Sequence, residues 1–227
     1  MRRFKDFSLV ELMVVIAIIA ILISMLMPSL GRAREKARIA ICSSNSQQHG
    51  VAVASYAADH SGRYPEFTDG GRNASLWMGK TAEGNNKFPA TEKPLNIYLG
   101  LTNDQDDAPF AQCISESSEL NSYDDQGSSY HRNQKNLVVY YHSDETKADL
   151  DPMKTAMLVK PSLFLLSGER GGMVPFRNSN LMGQDKYYSH TKTGNTKFVY
   201  LYGDGHVRFT KITLDVLNSS AYMWDNQ

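Results

Sequence analysis

A single acid within a long apolar run is the first residue of this sequence with a possible chemical role. Glu11 lies in the segment from Phe7 to Leu30, where Leu12 to Met27 are 16 consecutive uncharged residues. The segment can form about 36 Å of helix, which exceeds a hydrocarbon core of about 30 Å. A carboxylate within a bilayer costs on the order of 3 kcal/mol. The pattern predicts a membrane-spanning helix whose Glu11 either needs a charged partner or reaches the membrane interface.

Two histidines and an acid later in the chain are candidate metal ligands. His190, Asp204 and His206 offer two imidazoles and a carboxylate, a sufficient set for zinc or iron. An Asp in a turn usually accepts backbone N–H bonds, however, and His206 begins a predicted strand. We therefore expect no metal at these residues.

An acidic loop is the candidate for calcium. It contains Asn103, Asp104, Asp106 and Asp107. An EF-hand needs acids at alternate positions, a central Gly and a final Glu, and this loop lacks that spacing. We expect a solvated turn and predict no cofactor, calcium and zinc being the alternatives considered.

The chain has two cysteines, Cys42 and Cys113. In an oxidising exterior they would form one disulfide that ties the N-terminal helix to the loop-rich region. A pair of buried free thiols is the alternative.

The sequence shows no enzyme motif. It lacks a phosphate-binding loop, Gly-x-Ser-x-Gly, His-Glu-x-x-His and Cys-x-x-Cys. Glu169-Arg170-Gly171-Gly172 follows a predicted strand and could line a site, but we expect a turn there. The 24 basic and 24 acidic residues cancel, so no basic footprint for nucleic acid is present. We predict neither an enzyme nor a nucleic-acid-binding protein.

The N-terminal helix is expected to continue beyond the membrane. Pro28 predicts a kink or a locally unwound stretch. Gly62 and Pro65 predict that the helix ends between Asp59 and Gly62. Mostly small residues recur at helical spacing in between, and we expect them to pack on the chain's own sheet, with neighbouring helices as the alternative. This small-residue stripe consists of Ala33, Ala37, Ile41, Ser44, Gln48, Val51, Ser55 and Ala58.

The remaining sequence predicts an antiparallel sheet near the C-terminus. Residues 66 to about 135 are loop-rich, with Leu95–Leu101 as a plausible strand or short helix. Gly203-Asp204-Gly205 predicts a hairpin turn, in which both glycines allow positive backbone angles. The predicted strands are Leu137–His142, Thr155–Val159, Leu163–Ser167, Phe198–Tyr202 and His206–Thr210. The fold class is therefore α+β, a long N-terminal helix packed on a C-terminal antiparallel sheet.

The N-terminal residues resemble the signature of type IV pilins and type II secretion pseudopilins. The resemblance rests on Arg2, Arg3 and Lys5, on Phe7-Ser8-Leu9-Val10-Glu11 before the apolar run, and on Pro28. It implies that a prepilin peptidase cuts before Phe7 and methylates the new amine. It also implies domains at 1–6 (leader peptide), 7–30 (transmembrane half of the helix), 31–61 (amphipathic half) and 62–227 (globular domain).

The same resemblance gives Glu11 a partner in filament assembly. In that family the glutamate meets the N-terminal amine of a neighbouring subunit, and a buried charge with one compatible partner sets the register of packing. Asp6 departs from the pattern, because the family usually has Gly before the cut. A negative side chain at the scissile peptide should hinder a peptidase built for Gly.

Two further elements resemble pseudopilin-like proteins of planctomycetes and related bacteria. Cys42 and Asn45 match a C-x-x-N segment. A Y-x-x-D-x-x-G-x-x-P segment follows at Tyr56, Asp59, Gly62 and Pro65. His190 followed by Asp204-Gly205-His206-Val207 resembles the C-terminal His...Asp-Gly element, with 13 intervening residues here instead of the usual nine.

The resemblance implies a pseudopilin-like subunit of a type II secretion pseudopilus or type IV-like pilus. Its partners would be further copies of itself or related subunits, the prepilin peptidase, an inner-membrane assembly platform with its ATPase, and the membrane. It would cross the bacterial inner membrane once, with its C-terminal domain in the periplasm, or at the cell surface once assembled. Basic residues flank the span on both sides, so charge alone does not set orientation. The alternative is an uncleaved, membrane-tethered ligand-binding protein, which Asp6 favours.

Overall fold

The computed structural model describes residues 8–65, 77–83, 88–116, 121–133, 154–158, 160–173, 190 and 197–211, and the backbone alone of residues 174–177. The helices are α1 (Leu9–Asp59), α2 (Ser122–Gln126) and α3 (Arg170–Arg177), and the strands are β1 (Tyr130–Arg132), β2 (Leu165–Glu169), β3 (Phe198–Tyr202) and β4 (Val207–Thr210). The chain divides into two compact units, Met1–Arg38 and Ile39–Gln227, and α1 contributes to both.

The first unit contains the apolar half of α1. Its large aliphatic side chains are exposed, and among the described residues α1 is the one helix long and apolar enough to cross a membrane. The helix is continuous through Pro28, so the predicted local unwinding does not occur. Pro28 lacks the N–H that would donate to the Ser24 carbonyl, but the loss of one hydrogen bond leaves the neighbouring turns intact.

The end of α1 is where the sequence predicts it. Gly62 has a φ of +79° and donates its N–H to the Ala57 carbonyl at 2.7 Å. This left-handed residue closes the last helical turn at little conformational cost because it has no Cβ. Tyr98 Oη donates to Asp59 Oδ2 at 2.9 Å, which fixes the end of the helix to the short 3₁₀ helix Ile97–Leu99. The element predicted over Leu95–Leu101 is thus a short helix.

The second unit is built on a four-stranded antiparallel sheet with the order β1-β2-β3-β4. β3 and β4 form the predicted hairpin, in which Phe198 pairs with Thr210 and Leu201 with Val207. Together with the long N-terminal helix, this sheet confirms the predicted α+β class.

Both faces of β3 are covered, and all five of its residues are buried. On one face Leu201 contacts the second half of α1, where a Cβ on Gly50 would lie 3.0 Å from Leu201 Cδ1. On the other face a Cβ on Gly172 of α3 would lie 2.3 Å from Tyr200 Oη. The two glycines permit these close approaches, and the sheet is a middle layer between two helices.

Some predicted strands differ from the structure. Residues 155–157 form a 3₁₀ helix, in which Met157 N–H donates to the Lys154 carbonyl, and the β-bridge between Lys154 and Arg63 is isolated among the described residues. β2 begins two residues later than predicted, after a turn in which Leu163 N–H donates to the Lys160 carbonyl. β1 lies in the region predicted to be loop-rich. The predicted strand Leu137–His142 lies outside the described residues.

The hairpin turn uses its glycines in two different ways. Gly205 has a positive φ of +86°, which a glycine allows, whereas Gly203 does not have a positive φ. Gly203 is instead constrained by packing, because a Cβ there would lie 2.6 Å from Leu158 Cδ1. Of the two positive angles that the glycines allow, the turn therefore uses the one at Gly205.

The small-residue stripe does not pack on the chain's own sheet. From Ile41 to Ala58 its members are exposed, except for half-buried Ser55. The buried face of α1 consists of Cys42, Asn45, Ser46, His49, Ala52, Val53 and Ala57. Both sets have helical spacing, and their centres lie about 140° apart around the axis, since each residue advances a helix by about 100°. Periodicity alone could not choose between them, and the expectation of packing on the sheet is wrong.

Candidate functional site

The N-terminus of α1 places the Glu11 carboxylate against the main chain. Ser8 N–H donates to Glu11 Oε2 at 2.9 Å, and Val10 N–H donates to Ser8 Oγ at 3.3 Å. Ser followed three residues later by Glu is the capping-box pattern, which satisfies helix N–H groups that have no partner within the helix. Among the described residues the second oxygen, Glu11 Oε1, accepts no hydrogen bond. Glu11 is therefore both a helix cap and an acceptor with a free oxygen.

The other N-terminal residues singled out by the sequence are placed as follows. Asp6 and Phe7, the predicted processing residues, lie outside the described residues. Pro28 lies within α1 and is exposed. The structure therefore supplies the helix and its cap but leaves the cleavage position as a prediction.

A second constellation lies in the second unit, where four buried side chains meet. These are Cys42 of α1, Cys113 after the 3₁₀ helix Pro109–Ala111, Glu169 at the end of β2, and His190. Their candidate ligand atoms all lie within 4.8 Å of one another. We call these four residues the donor cluster.

The distances within the donor cluster are those of direct contact. Cys113 Sγ lies 3.2 Å from both Cys42 Sγ and Glu169 Oε1, and 3.7 Å from His190 Nε2. His190 Nε2 is 2.8 Å from Glu169 Oε1. The cluster therefore centres on Cys113 and Glu169.

The C-x-x-N segment of α1 holds the loop that carries Cys113. Asn45 Nδ2 donates to two main-chain carbonyls of the 109–112 segment at 3.4 and 3.3 Å, and His49 Nε2 donates to a third at 2.8 Å. Positions three and seven after Cys42 lie on the same helix face. Asn45 and His49 therefore position Cys113 beside Cys42.

Glu169 is fixed from two directions. Its Oε2 accepts the Val199 N–H at 3.2 Å, and its Oε1 faces His190 and Cys113. The sequence predicts a turn at residues 169–172, and that prediction is wrong, because Glu169 ends β2 and Arg170 begins α3. The sequence signal that could have identified Glu169 is an acidic residue at the end of a strand whose other residues are apolar or small.

Burial and mutual contact shift the acidities within the cluster. The hydrogen bond from Cys113 lowers the pKa of the Cys42 thiol to about 5. The pKa of the Cys113 thiol is raised by its hydrogen-bond contact with Cys42, by burial and by the neighbouring Glu169 carboxylate. Burial raises the pKa of Glu169 despite its bond with His190. Within this pair of thiols, the pKa is therefore lower at Cys42 than at Cys113.

The cluster geometry does not match a nucleophilic triad. In a triad the nucleophile and the acid contact opposite nitrogens of the imidazole. Here Cys113 and Glu169 both contact His190 Nε2, and all three residues are buried. The arrangement suits joint coordination or mutual hydrogen bonding better than proton relay.

The metal candidates of the sequence analysis are not brought together. His190 lies in the donor cluster, whereas Asp204 and His206 pair with each other in the hairpin turn, with His206 Nδ1 2.5 Å from Asp204 Oδ1. Asp204 Oδ1 also accepts the His206 N–H at 3.1 Å, and the His206 ring stacks on Tyr202. Asp204 and His206 therefore stabilise the turn.

The acidic loop is held by its own hydrogen bonds. Asp104 Oδ1 accepts from the main chain and hydroxyl of Thr91, at 2.8 and 2.9 Å. Asn103 Oδ1 accepts two backbone N–H groups, and Asp107 accepts the Tyr123 hydroxyl. These contacts are those of the turn that the sequence predicts.

Cys42 and Cys113 are adjacent, as a disulfide would require, but are free thiols in the structure. Their 3.2 Å separation exceeds the about 2.05 Å of an S–S bond. The disulfide therefore remains a prediction.

Fold and site together define a pilin-like arrangement: a capped apolar helix of membrane-spanning length that continues into an α+β domain with an antiparallel sheet. Residues 2–27 match the family model described as the prokaryotic N-terminal methylation motif. The match includes Glu11 and most of the apolar run, and it supports the resemblance to type IV pilins and pseudopilins. No curated protein and no solved structure matches the chain.

Proposed function

We propose that this chain is a pseudopilin-like structural subunit of a type II secretion pseudopilus or type IV-like pilus. The observation that carries the proposal is the methylation motif at residues 2–27, on a helix of membrane-spanning length. The motif is typical of subunits that are stored in the membrane and then packed through their N-terminal helices. The role is structural rather than enzymatic.

The capping box supports a role for Glu11 in assembly. Cleavage before Phe7 would leave Ser8 in the mature chain, so the N–H that bonds Glu11 Oε2 would be retained. Glu11 Oε1 would then accept the methylated ammonium of Phe7 from a neighbouring subunit. The ammonium of a neighbouring subunit can reach Glu11 Oε1 only when that subunit is displaced along the filament axis by one particular distance. The ion pair therefore sets the register between subunits.

The exposed stripe on α1 supports helix packing between subunits. Ile41, Ser44, Gln48 and Val51 are exposed, although they lie on a helix whose opposite side is buried in the domain. Small side chains allow the backbones of neighbouring helices to approach closely. We therefore propose that the stripe packs on the helices of neighbouring subunits, which was the alternative considered from the sequence.

The proposed location and partners follow from the motif. The chain would reside in the inner membrane with its C-terminal domain in the periplasm, and at the cell surface when assembled. The prepilin peptidase would process it, and an inner-membrane platform with its ATPase would extract it into a filament of like or related subunits.

The mass of the mature N-terminus tests the proposal. We expect loss of the first six residues and a methylated Phe7 in chains purified from cells that contain the peptidase. Cells lacking the peptidase are the matched control and should retain Met1 to Asp6. An intact N-terminus in both strains, without sheared filaments, would contradict the proposal.

Asp6 favours one second candidate, a permanently tethered binding protein. A carboxylate next to the scissile bond would slow a peptidase built for Gly and leave the chain in the membrane. Asp6→Gly separates the two functions. Equal processing of the native chain and the variant supports the filament subunit, whereas processing of the variant alone supports the tether.

A further inference from the structure

The donor cluster combines two sulfurs, one imidazole nitrogen and one carboxylate oxygen. Zinc binds such ligands at about 2.0–2.3 Å, so neighbouring ligand atoms of a tetrahedral site are about 3.3–3.8 Å apart. The four measured contacts are 3.2, 3.2, 3.7 and 2.8 Å. Outward shifts of a few tenths of an ångström would convert these contacts into the edges of a tetrahedron.

The supporting contacts orient the donors. Asn45 and His49 tie the loop before Cys113 to α1, and the Val199 N–H occupies Glu169 Oε2. Because Oε2 is held in this way, Glu169 Oε1 faces Cys113 and His190. Hydrogen bonds of this kind around the ligands fix their orientation and raise metal affinity.

The surroundings of the cluster are those of a closed site. All four residues are buried, and they come from four separate parts of the chain. A group of acidic side chains in a buried place is costly unless a cation or shared protons compensate the charge. Four protein ligands with no open position are typical of structural zinc sites.

We propose that Cys42, Cys113, Glu169 and His190 bind a structural zinc ion in the folded domain. The two sulfurs favour zinc over calcium and magnesium, which prefer oxygen ligands. The ion would join α1, the 109–113 loop, the end of β2 and the segment before β3. This role goes beyond filament assembly and contradicts the expectation, drawn from the sequence, that the chain has no cofactor.

Metal analysis of the full chain is the first test. The protein is extracted from membranes in detergent without chelators and dialysed against metal-free buffer. We expect one zinc ion per chain. A chain without stoichiometric metal, whose thiols are free or joined in a disulfide, would overturn the proposal.

Cobalt substitution tests the ligands without a variant. The chelator-stripped wild-type chain is titrated with cobalt(II), which should give the visible bands of a tetrahedral site and a thiolate-to-cobalt charge-transfer band. A spectrum without thiolate ligation would contradict the assignment even if some metal is bound.

Variants then assign the individual donors. Cys42→Ser and Cys113→Ser should each weaken the charge-transfer band, and Glu169→Gln and His190→Gln should shift the visible bands and lower zinc retention at least tenfold. Asp204→Asn with His206→Gln is the matched control and should leave zinc content unchanged. Full retention in all four cluster variants would refute the site. Because unassembled chains are measured, the result does not depend on filament formation.

Discussion

Glu169 Oε1 lies 2.8 Å from His190 Nε2, and both side chains are completely shielded from solvent. The contact joins the end of β2 to the segment that leads into β3. A buried acid and a buried imidazole are each costly alone, so each depends on the other.

Removal of Glu169 is therefore expected to destabilise the second unit. Glu169→Ala would remove the carboxylate that contacts His190 Nε2 and accepts the Val199 N–H, at a cost of about 3 kcal/mol or more in the free energy of unfolding. Glu169→Gln keeps one oxygen acceptor and should cost less. Urea unfolding of the full chain in detergent, with chelator present, measures both. Wild-type stability in the alanine variant would show that the contact is not stabilising.

His49 is expected to make stability depend on pH. It is fully buried beside Tyr130, and burial lowers its pKa from 6.5 to about 4. Between these values the unfolded chain binds more protons than the folded one. Stability is therefore complete above pH 6.5 and decreases as the pH falls toward 4, by about 3 kcal/mol.

The control for this pH effect is His49→Gln, which can still donate to the Phe110 carbonyl but cannot be protonated in this range. Its unfolding free energy should fall less steeply below pH 6.5 than that of the wild type. Identical slopes in the two proteins would assign the acid sensitivity to other groups.

Asn45 is expected to hold the Cys113 loop. Asn45→Ala would remove the amide donor from the Gln112 carbonyl and from the Pro109 carbonyl, which keeps the Gln112 N–H, at a cost of about 1–3 kcal/mol. The loosened loop should also let Cys113 react faster with alkylating reagents. Ser44→Ala, at the exposed neighbouring position, should change stability by less than about 0.5 kcal/mol. Equal effects at the two positions would contradict this role.

Adjacent alanines on α1 are expected to separate folding from assembly. Ala57 is 5% exposed, so Ala57→Leu should overpack the domain core by about 1–3 kcal/mol. Ala58 is exposed, so Ala58→Leu should leave stability nearly unchanged but reduce filament yield. Unfolding and shearing assays measure the two effects. If Ala58→Leu forms normal filaments, the stripe does not contact a neighbouring subunit at residue 58.

Glu11 variants are expected to distinguish a helix cap from a counterion. Glu11→Gln can still accept the Ser8 N–H but carries no charge. If an ammonium is its partner, assembly should weaken by at least about 100-fold, since removal of one member of a buried ion pair costs about 3 kcal/mol or more. Ser8→Ala, which removes one capping bond and keeps the charge, should assemble far better. Normal filaments in Glu11→Gln would exclude the charge pairing.

Features that depend on neighbouring residues were predictable from the sequence. The apolar run predicts the first half of α1, because its length matches a bilayer. Gly62 predicts the helix end, since a left-handed residue closes the last turn. Alternation around Gly205 predicts the β3–β4 hairpin. In each case the deciding interaction lies within a few residues of the signal.

Features that depend on distant contacts were decided by the tertiary structure. The choice between two equally periodic faces of α1 was made by the sheet and loops that pack on Cys42 and Ala52. Thr155–Met157 has strand composition, but among the described residues no neighbouring strand extends the single bridge at Lys154. The donor cluster joins Cys42 to a cysteine 71 positions away, and Cys113 to Glu169 56 positions further on. No local pattern records such distances, because packing on the sheet brings these side chains together.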